Sequence, residues 1–206
     1  MPGIPSELLE PLALAAGLAW AAGLRVYGVV FCVGLAGHFG LVTLPGSLDV
    51  LAHPAVMTVS GLLFFLEFFA DKIPYVDSVW DALNTFVRAP GGAILAALAM
   101  ADGSQAMMIA AALLGGVIAG GTHVAKAGSR AAINVSPEPV SNWLASFTED
   151  GAAFGIVALA LTHPLLLFAG LALFILILLW LLPKLLRLAI GAIRGGFSRL
   201  SPQQRP

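Results

Sequence analysis

Six apolar stretches, each close to the length of a membrane span, restrict the fold of this chain more than any other feature. They occupy residues 11–35, 54–71, 78–101, 105–122, 142–162 and 164–183. About 20 mostly apolar residues form one membrane-spanning helix. Because 59% of the residues are hydrophobic and only 10% are charged, the chain cannot cover a globule with polar surface. We therefore predict an all-α integral membrane protein with about six transmembrane helices.

The positions of Lys and Arg predict the orientation of these helices, because cytoplasmic loops are enriched in both residues. The connections 36–52 and 101–105 and the turn at 163–164 contain neither. The opposite ends of the spans carry most of them, namely Lys72, Lys126, Arg130, Lys184, Arg187, Arg194, Arg199 and Arg205. Arg25 is the exception at mid-span, and Arg88 lies inside the third span. We expect a protein of the bacterial inner membrane with both termini in the cytoplasm.

Short similarities between the two halves suggest an inverted repeat of three helices each. Residues 22–25 resemble 127–130, and residues 66–71 resemble 145–150. Under the six-span topology, spans one and four run in opposite directions, as in the inverted repeats of many transporters. The predicted division is a first half at 1–103, a second half at 104–190 and a basic cytoplasmic tail at 191–206.

An acidic group surrounds the predicted turn between spans two and three. Glu67 and Asp71 are four residues apart, as are Asp77 and Asp81, so each pair shares a helix face. Pro74 disfavours helix in this segment, so the backbone should turn between the two pairs. The acids are either solvated in a cytoplasmic loop or held in a polar cavity. Carboxylates of this kind could also hold Mg²⁺ or another hard cation, although we predict no firm cofactor.

A basic group follows on span four. His123, Lys126, Arg130 and Asn134 have spacings of three, four and four residues, which place them in one stripe if the helix continues that far. In a medium of low dielectric constant, this stripe should attract the acidic residues. The two groups together are either a structural ion-pair network or the lining of a path for a substrate.

Charged and polar residues near membrane spans are costly and are usually held there by a function. The predicted substrate- or ion-binding residues are Arg25, Glu67, Asp71, Lys72, Asp77, Asp81, Arg88, His123, Lys126, Arg130, Asn134, Asn142, Glu149 and Asp150. They predict a transporter or channel for an ion or small polar solute. One alternative is an intramembrane enzyme or translocase that binds a phospholipid or polyprenyl phosphate through Lys126 and Arg130. Another is a structural subunit of a membrane complex.

The remaining partners are predicted from the tail and the net charge. The basic segment from Lys184 to Arg199 should bind anionic lipid headgroups, and it could instead dock a protein partner. The net charge of −1 gives no basic surface for nucleic acid. A homo-oligomer is compatible with the sequence.

Several motifs in combination resemble a family of bacterial integral membrane proteins known only as a domain of unknown function. They are Glu67, DKIPYVD at 71–77, KAGSR at 126–130, Asn134, SPEP at 136–139 and the pair Glu149 and Asp150. The resemblance covers about residues 10 to 190. It implies a multi-pass inner-membrane protein whose polar motifs are the family hallmark, and it implies no substrate or reaction.

Overall fold

The computed structural model describes the backbone of residues 6–134 and 138–200. Residues 136 and 137 of the SPEP motif and the side chains of Arg187, Arg194, Arg199 and Arg205 lie outside the described residues. Within the described ranges all regular structure is helical, which confirms the all-α prediction. The elements are α1 (Ser6–His38), a 3₁₀ helix (Gly46–Ala52), α2 (Pro54–Ala70), α3 (Val76–Ala99), α4 (Gln105–Ile133), α5 (Pro139–Thr162) and α6 (Pro164–Leu200).

Five helices are long and apolar enough to cross a membrane. They are α1, α3, α4, α5 and the first part of α6, Pro164–Leu181. Helix α2 is apolar but has only 17 residues, so its length of about 26 Å falls short of a hydrocarbon core of about 30 Å. A multi-pass membrane protein is therefore confirmed, whereas the count of six spans stays a prediction. The chain divides into two compact units, one ending at Gly170 and one beginning at Leu171.

Local sequence signals explain where several helices begin. The ring of His53 accepts a hydrogen bond from the Ala55 N–H at 3.2 Å, and Pro54 occupies the first turn of α2. Ser104 caps α4 in the usual way, because its hydroxyl accepts from the Met107 N–H at 3.3 Å. A second His-Pro pair, His163 and Pro164, lies at the start of α6, which begins at Pro164.

Helix α1 is the centre of the bundle, since it packs against α2, α3, α4 and α5. Small residues allow this close packing. A Cβ atom on Gly23 would lie 2.5 Å from the Ala119 carbonyl oxygen, and one on Gly115 would lie 2.5 Å from the Ala96 methyl. The backbones of α1, α3 and α4 can therefore approach only because these positions lack a side chain.

The helical backbone of α1 breaks at Arg25, whose φ and ψ angles are −146° and 69°. A break frees backbone groups that must find other partners away from water. The Leu24 carbonyl accepts a hydrogen bond from the Lys126 ammonium at 3.4 Å. Arg25, the charge at mid-span of the first apolar stretch, thus lies at a break in the helix, and this break faces Lys126 of α4.

The predicted turn around Pro74 is present between α2 and α3. Tyr75 has a φ angle of +69°, in the left-handed region that non-glycine residues seldom adopt. Its conformation reverses the chain so that α3 begins at Val76, while Asp71 and Lys72 remain buried. Helix α3 then continues through Pro90, which lies inside the helix.

Candidate functional site

All fourteen residues predicted to bind a substrate or ion are buried. Eleven of them carry charge and form what we call the charge network. Its cations are Arg25, Lys72, Arg88, Lys126 and Arg130, and its carboxylates are Glu67, Asp71, Asp77, Asp81, Glu149 and Asp150. The two groups that are separate in the sequence thus come together at one place, and α1, α2, α3, α4 and α5 with the α2–α3 turn all contribute to it.

Arg25 stands at the centre of the network, at the break in α1. Its guanidinium pairs with Asp71 at the end of α2 and with Asp150 of α5, the latter at 2.6 Å. Glu149 lies 3.4 Å away. Ser146 accepts two further hydrogen bonds from the same guanidinium, through its hydroxyl at 3.1 Å and its carbonyl at 3.2 Å. Arg25 therefore joins three helices through charged hydrogen bonds.

Lys126 on α4 is shared by acids from three parts of the chain. Its ammonium lies 2.9 Å from Asp71, 3.3 Å from Asp81 and 3.3 Å from Glu149. Asp71 is in turn shared between Lys126 and Arg25. Asp71, Asp81 and Glu149 are therefore each shared by two or more cations.

Arg130 binds one carboxylate in the fork geometry that gives the strongest ion pairs. Its Nε and Nη2 atoms donate to the two oxygens of Glu149 at 2.8 and 2.9 Å. Its third nitrogen donates to the carbonyl oxygens of Asp71 at 3.2 Å and Asn142 at 3.1 Å. Arg130 thereby fixes the end of α2 against α5.

Asp77 is held mainly by amides. The Asn134 side chain donates to both Asp77 oxygens at 2.9 and 3.0 Å, and it accepts from the Asn142 amide at 3.1 Å. Arg130 is more distant, 3.9 Å from Asp77. This chain of amides connects the start of α3 to α4 and α5.

Arg88 forms a separate branch of the network on α3. Its guanidinium lies 2.6 Å from Glu67 and 3.1 Å from Asp81. It also contacts Nδ1 of His123 at 2.8 Å, while Nε2 of the same ring lies 2.9 Å from the Thr85 hydroxyl. Because arginine can only donate, Nδ1 of His123 must accept. The His123 ring is therefore assigned as neutral, with its proton on Nε2.

Lys72 differs from the other four cations of the network. Its ammonium has no carboxylate within 4 Å among the described residues, and it lies instead over the Phe68 ring at 3.0 Å and near the Phe147 ring at 4.7 Å. It donates to the Phe68 carbonyl at 3.0 Å and the Ser146 hydroxyl at 3.3 Å. Burial lowers the pKa of Lys72, and the negative charge of Asp150 opposes that shift.

Sequence reasoning did not include two polar residues of this region among the site residues. Ser146 bridges Arg25 and Lys72, and Asn84 is buried with no partner for its carbonyl oxygen among the described residues. Helical spacing could have identified both, because Asn84 follows Asp81 by three residues and Ser146 precedes Asp150 by four.

The carboxylates that could hold a hard cation face arginine, lysine and asparagine side chains. Among the residues that the structure describes, no group of three or more His, Cys, Asp or Glu side chains is arranged to hold a metal ion. Binding of Mg²⁺ at Glu67, Asp71, Asp77 and Asp81 therefore stays a prediction.

Comparisons with known proteins give a family. No curated protein and no solved structure matches the chain. The model of one family, described as "Domain of unknown function (DUF4126)", matches residues 12–184, which include the whole charge network. The chain therefore belongs to the DUF4126 family of proteins of unknown function.

Proposed function

We propose that this protein is a membrane transporter or channel for an ion or a small polar solute, with the charge network as its central site. The observation that carries the proposal is the burial of these charged residues where the helices of the bundle meet. Ionisable residues inside membrane bundles are expensive and typically mark a path for an ion or substrate. A core with only a structural role could consist of apolar side chains at a lower cost in folding free energy.

The break in α1 supports the same proposal. Transporters commonly form their sites at interrupted helices, where free backbone groups and side chains share the ligand. Here the Leu24 carbonyl at the break is satisfied by Lys126, which also holds Asp71 and Asp81. A competing ion could replace Lys126 at these oxygens, so the closed network represents an occluded state of the site.

The test is flux through purified protein in liposomes. Asp71→Asn removes the charge of a carboxylate shared by Arg25 and Lys126, and the matched control is Asp102→Asn at an exposed acid. Charge movement is measured for H⁺, Na⁺, K⁺, Mg²⁺, chloride and phosphate. We expect flux of one of these ions in the wild type and the control and none in Asp71→Asn. Equal flux in a folded Asp71→Asn variant contradicts the proposal.

A second candidate function is translocation of a phospholipid or polyprenyl phosphate. Lys72 lies between Phe68 and Phe147 without a carboxylate partner in the described part of the chain. An apolar groove of about 330 Å³ is lined by Val140, Trp143, Leu144 and the same Phe147. An acyl chain in this groove would bring a phosphate close to Lys72.

Lipid movement separates the two candidates. Vesicles that contain a fluorescent phosphatidylglycerol are assayed for exchange between leaflets, with Lys72→Gln as the variant and Asp102→Asn, at an exposed acid, as the control. Exchange in the wild type that is lost only in Lys72→Gln favours translocation. Ion flux without exchange favours the transporter.

Topology and assembly belong to the same proposal. We place both termini in the cytoplasm of a bacterial cell and treat 1–103 and 104–190 as inverted repeats. The pairing of Arg25 with acids of α5 and of Arg130 with the Asp71 carbonyl supports related roles for the two arginines. Labelling of single cysteines at Asp102 and Lys184 from either side of the membrane tests the orientation.

A third hypothesis is that the protein is a structural subunit of a membrane complex. This hypothesis predicts co-purification with a fixed partner protein and no flux through the protein alone.

A further inference from the structure

The charge network contains more negative than positive groups. Within the described side chains, its six carboxylates face five Lys and Arg cations, so full ionisation leaves one negative charge. A net charge in a region shielded from water is strongly unfavourable, and buried groups usually neutralise instead. Some positive ion must therefore balance the network.

His123 does not supply this charge. Its Nδ1 accepts from Arg88 at 2.8 Å, and a proton at that nitrogen would oppose an arginine donor. Its Nε2 proton is directed to the Thr85 hydroxyl at 2.9 Å. The ring stays neutral as long as both contacts persist.

We propose that the network binds one exchangeable proton, shared by Glu67 and Asp81 on the two sides of Arg88. This inference rests on the proposed transport function for its role, because it makes the proton the ion that the central site carries or couples to. Arg88 is the cation closest to Glu67, at 2.6 Å, and it lies 3.1 Å from Asp81. Two buried carboxylates therefore share the Arg88 guanidinium.

The surroundings of the pair support this placement. Oε2 of Glu67 has no hydrogen-bond partner among the described residues, and neither oxygen of Asp81 has one. One of these oxygens can therefore take a proton without breaking a hydrogen bond. Both oxygens of Asp150 also lack a hydrogen bond in the described part of the chain, but its side chain is 11% exposed. Glu67 and Asp81 are almost completely buried, so a proton on this pair is held away from bulk water.

Charged and titratable groups face the pair from every neighbouring helix. Arg25 of α1 lies 3.9 Å from Glu67, and the Tyr27 phenol of the same helix is within its electrostatic range. Asp71 at the end of α2 adds negative charge. Lys126 of α4 lies 3.3 Å from Asp81 but is shared with Asp71 and Glu149, so it does not neutralise Asp81 by itself.

A proton fits this place better than a metal ion does. A metal ion needs several oxygen ligands around one point, and no such grouping of acidic side chains occurs in the described ranges. A proton needs a single oxygen. Release breaks one carboxyl O–H bond and passes the proton to water, which leaves a carboxylate beside Arg88. Uptake is the reverse.

Infrared spectroscopy of the purified protein tests the proposal without any flux assay. A protonated buried carboxyl has a C=O stretch distinct from that of a carboxylate. We expect one such band at neutral pH in the wild type, shifted in D₂O and lost at high pH. Glu67→Gln and Asp81→Asn should each remove the whole band, because either change leaves five acids facing five cations. Asp102→Asn should retain it.

The outcomes are distinguishable from failure of the transport proposal. No protonated carboxyl in the wild type, or an unchanged band in both folded variants, overturns the inference even if ions are transported. If both variants fail to fold, the presence of the band in the wild type and its loss at high pH still test the inference. A band without flux supports the proton site and rejects transport. A further outcome is that no carboxyl band is seen and that NaCl stabilises the protein more than choline chloride does at neutral pH. This outcome assigns the charge balance to Na⁺ and also overturns the inference.

Discussion

Arg25 and Asp71, 46 residues apart in the sequence, form a direct ion pair where α1 breaks and α2 ends. Neither side chain has measurable exposure to solvent. The pair ties the central helix to the α2–α3 turn, and the Lys126 ammonium completes it from α4. Three segments of the chain are therefore connected at one point by buried charged side chains.

Loss of Arg25 should destabilise the protein strongly. Arg25→Gln leaves Asp71 and Asp150 without their nearest guanidinium, and removal of one partner of a buried ion pair costs about 3–5 kcal/mol. Thermal or denaturant unfolding in detergent measures the loss. Asp102→Asn, at an exposed acid, is the control and should leave the unfolding midpoint unchanged. Equal midpoints for the two variants would contradict the central role of Arg25.

Lys72 should contribute much less to stability than Arg130. Lys72→Met preserves the apolar stem and loses a cation–π contact worth about 1–2 kcal/mol. Arg130→Met removes the bidentate partner of Glu149, which keeps only the longer contacts to Lys126 and Arg25, and the loss of a buried partner costs about 3–5 kcal/mol. Because both positions are buried, the difference in stability between the two variants reports the contribution of the Arg130–Glu149 ion pair. Unfolding free energies of the two variants give the answer. A larger loss for Lys72→Met would mean that its aromatic contacts hold the bundle together.

The close contact of α1 with α4 should make Gly23 intolerant of a side chain. In Gly23→Ala the new methyl would lie 2.5 Å from the Ala119 carbonyl oxygen and from the Thr122 side chain, and such overpacking costs about 1–3 kcal/mol. Gly120→Ala on α4 is the matched control, because its methyl would meet Ala89 at an ordinary 3.5 Å. Unfolding should begin at lower temperature only in Gly23→Ala, and equal midpoints would argue against this close approach.

His123 should stabilise the Arg88 branch as a neutral ring. His123→Phe removes the acceptor for Arg88 and the donor for Thr85, and leaving such buried groups unsatisfied costs about 1–3 kcal/mol. Nitrogen-15 NMR of labelled histidine reports the tautomer directly. We expect the Nε2–H form in the wild type, and a doubly protonated ring at neutral pH would contradict the assignment.

The sequence by itself determined the helices and the polar residues of the site. Hydropathy and spacing are local properties, so the apolar runs placed α1 to α6, Pro74 predicted the α2–α3 turn, and the three- and four-residue spacings placed His123 to Asn134 on one face of α4. Whether Glu67 and Asp81 would be solvated or buried was beyond local reasoning, because exposure depends on which helices pack against them.

The tertiary structure decided which charges meet. Arg25 could have paired with acids before or after it in the chain, and the packing of α1 between α2 and α5 gives it both Asp71 and Asp150. Lys72, although next to Asp71 in sequence, turns to Phe68 and Phe147 instead. Ion pairs between distant segments form only after the helices assemble. Lipid solvates the apolar surface of every helix equally well, so close packing and charge decide which helices pair.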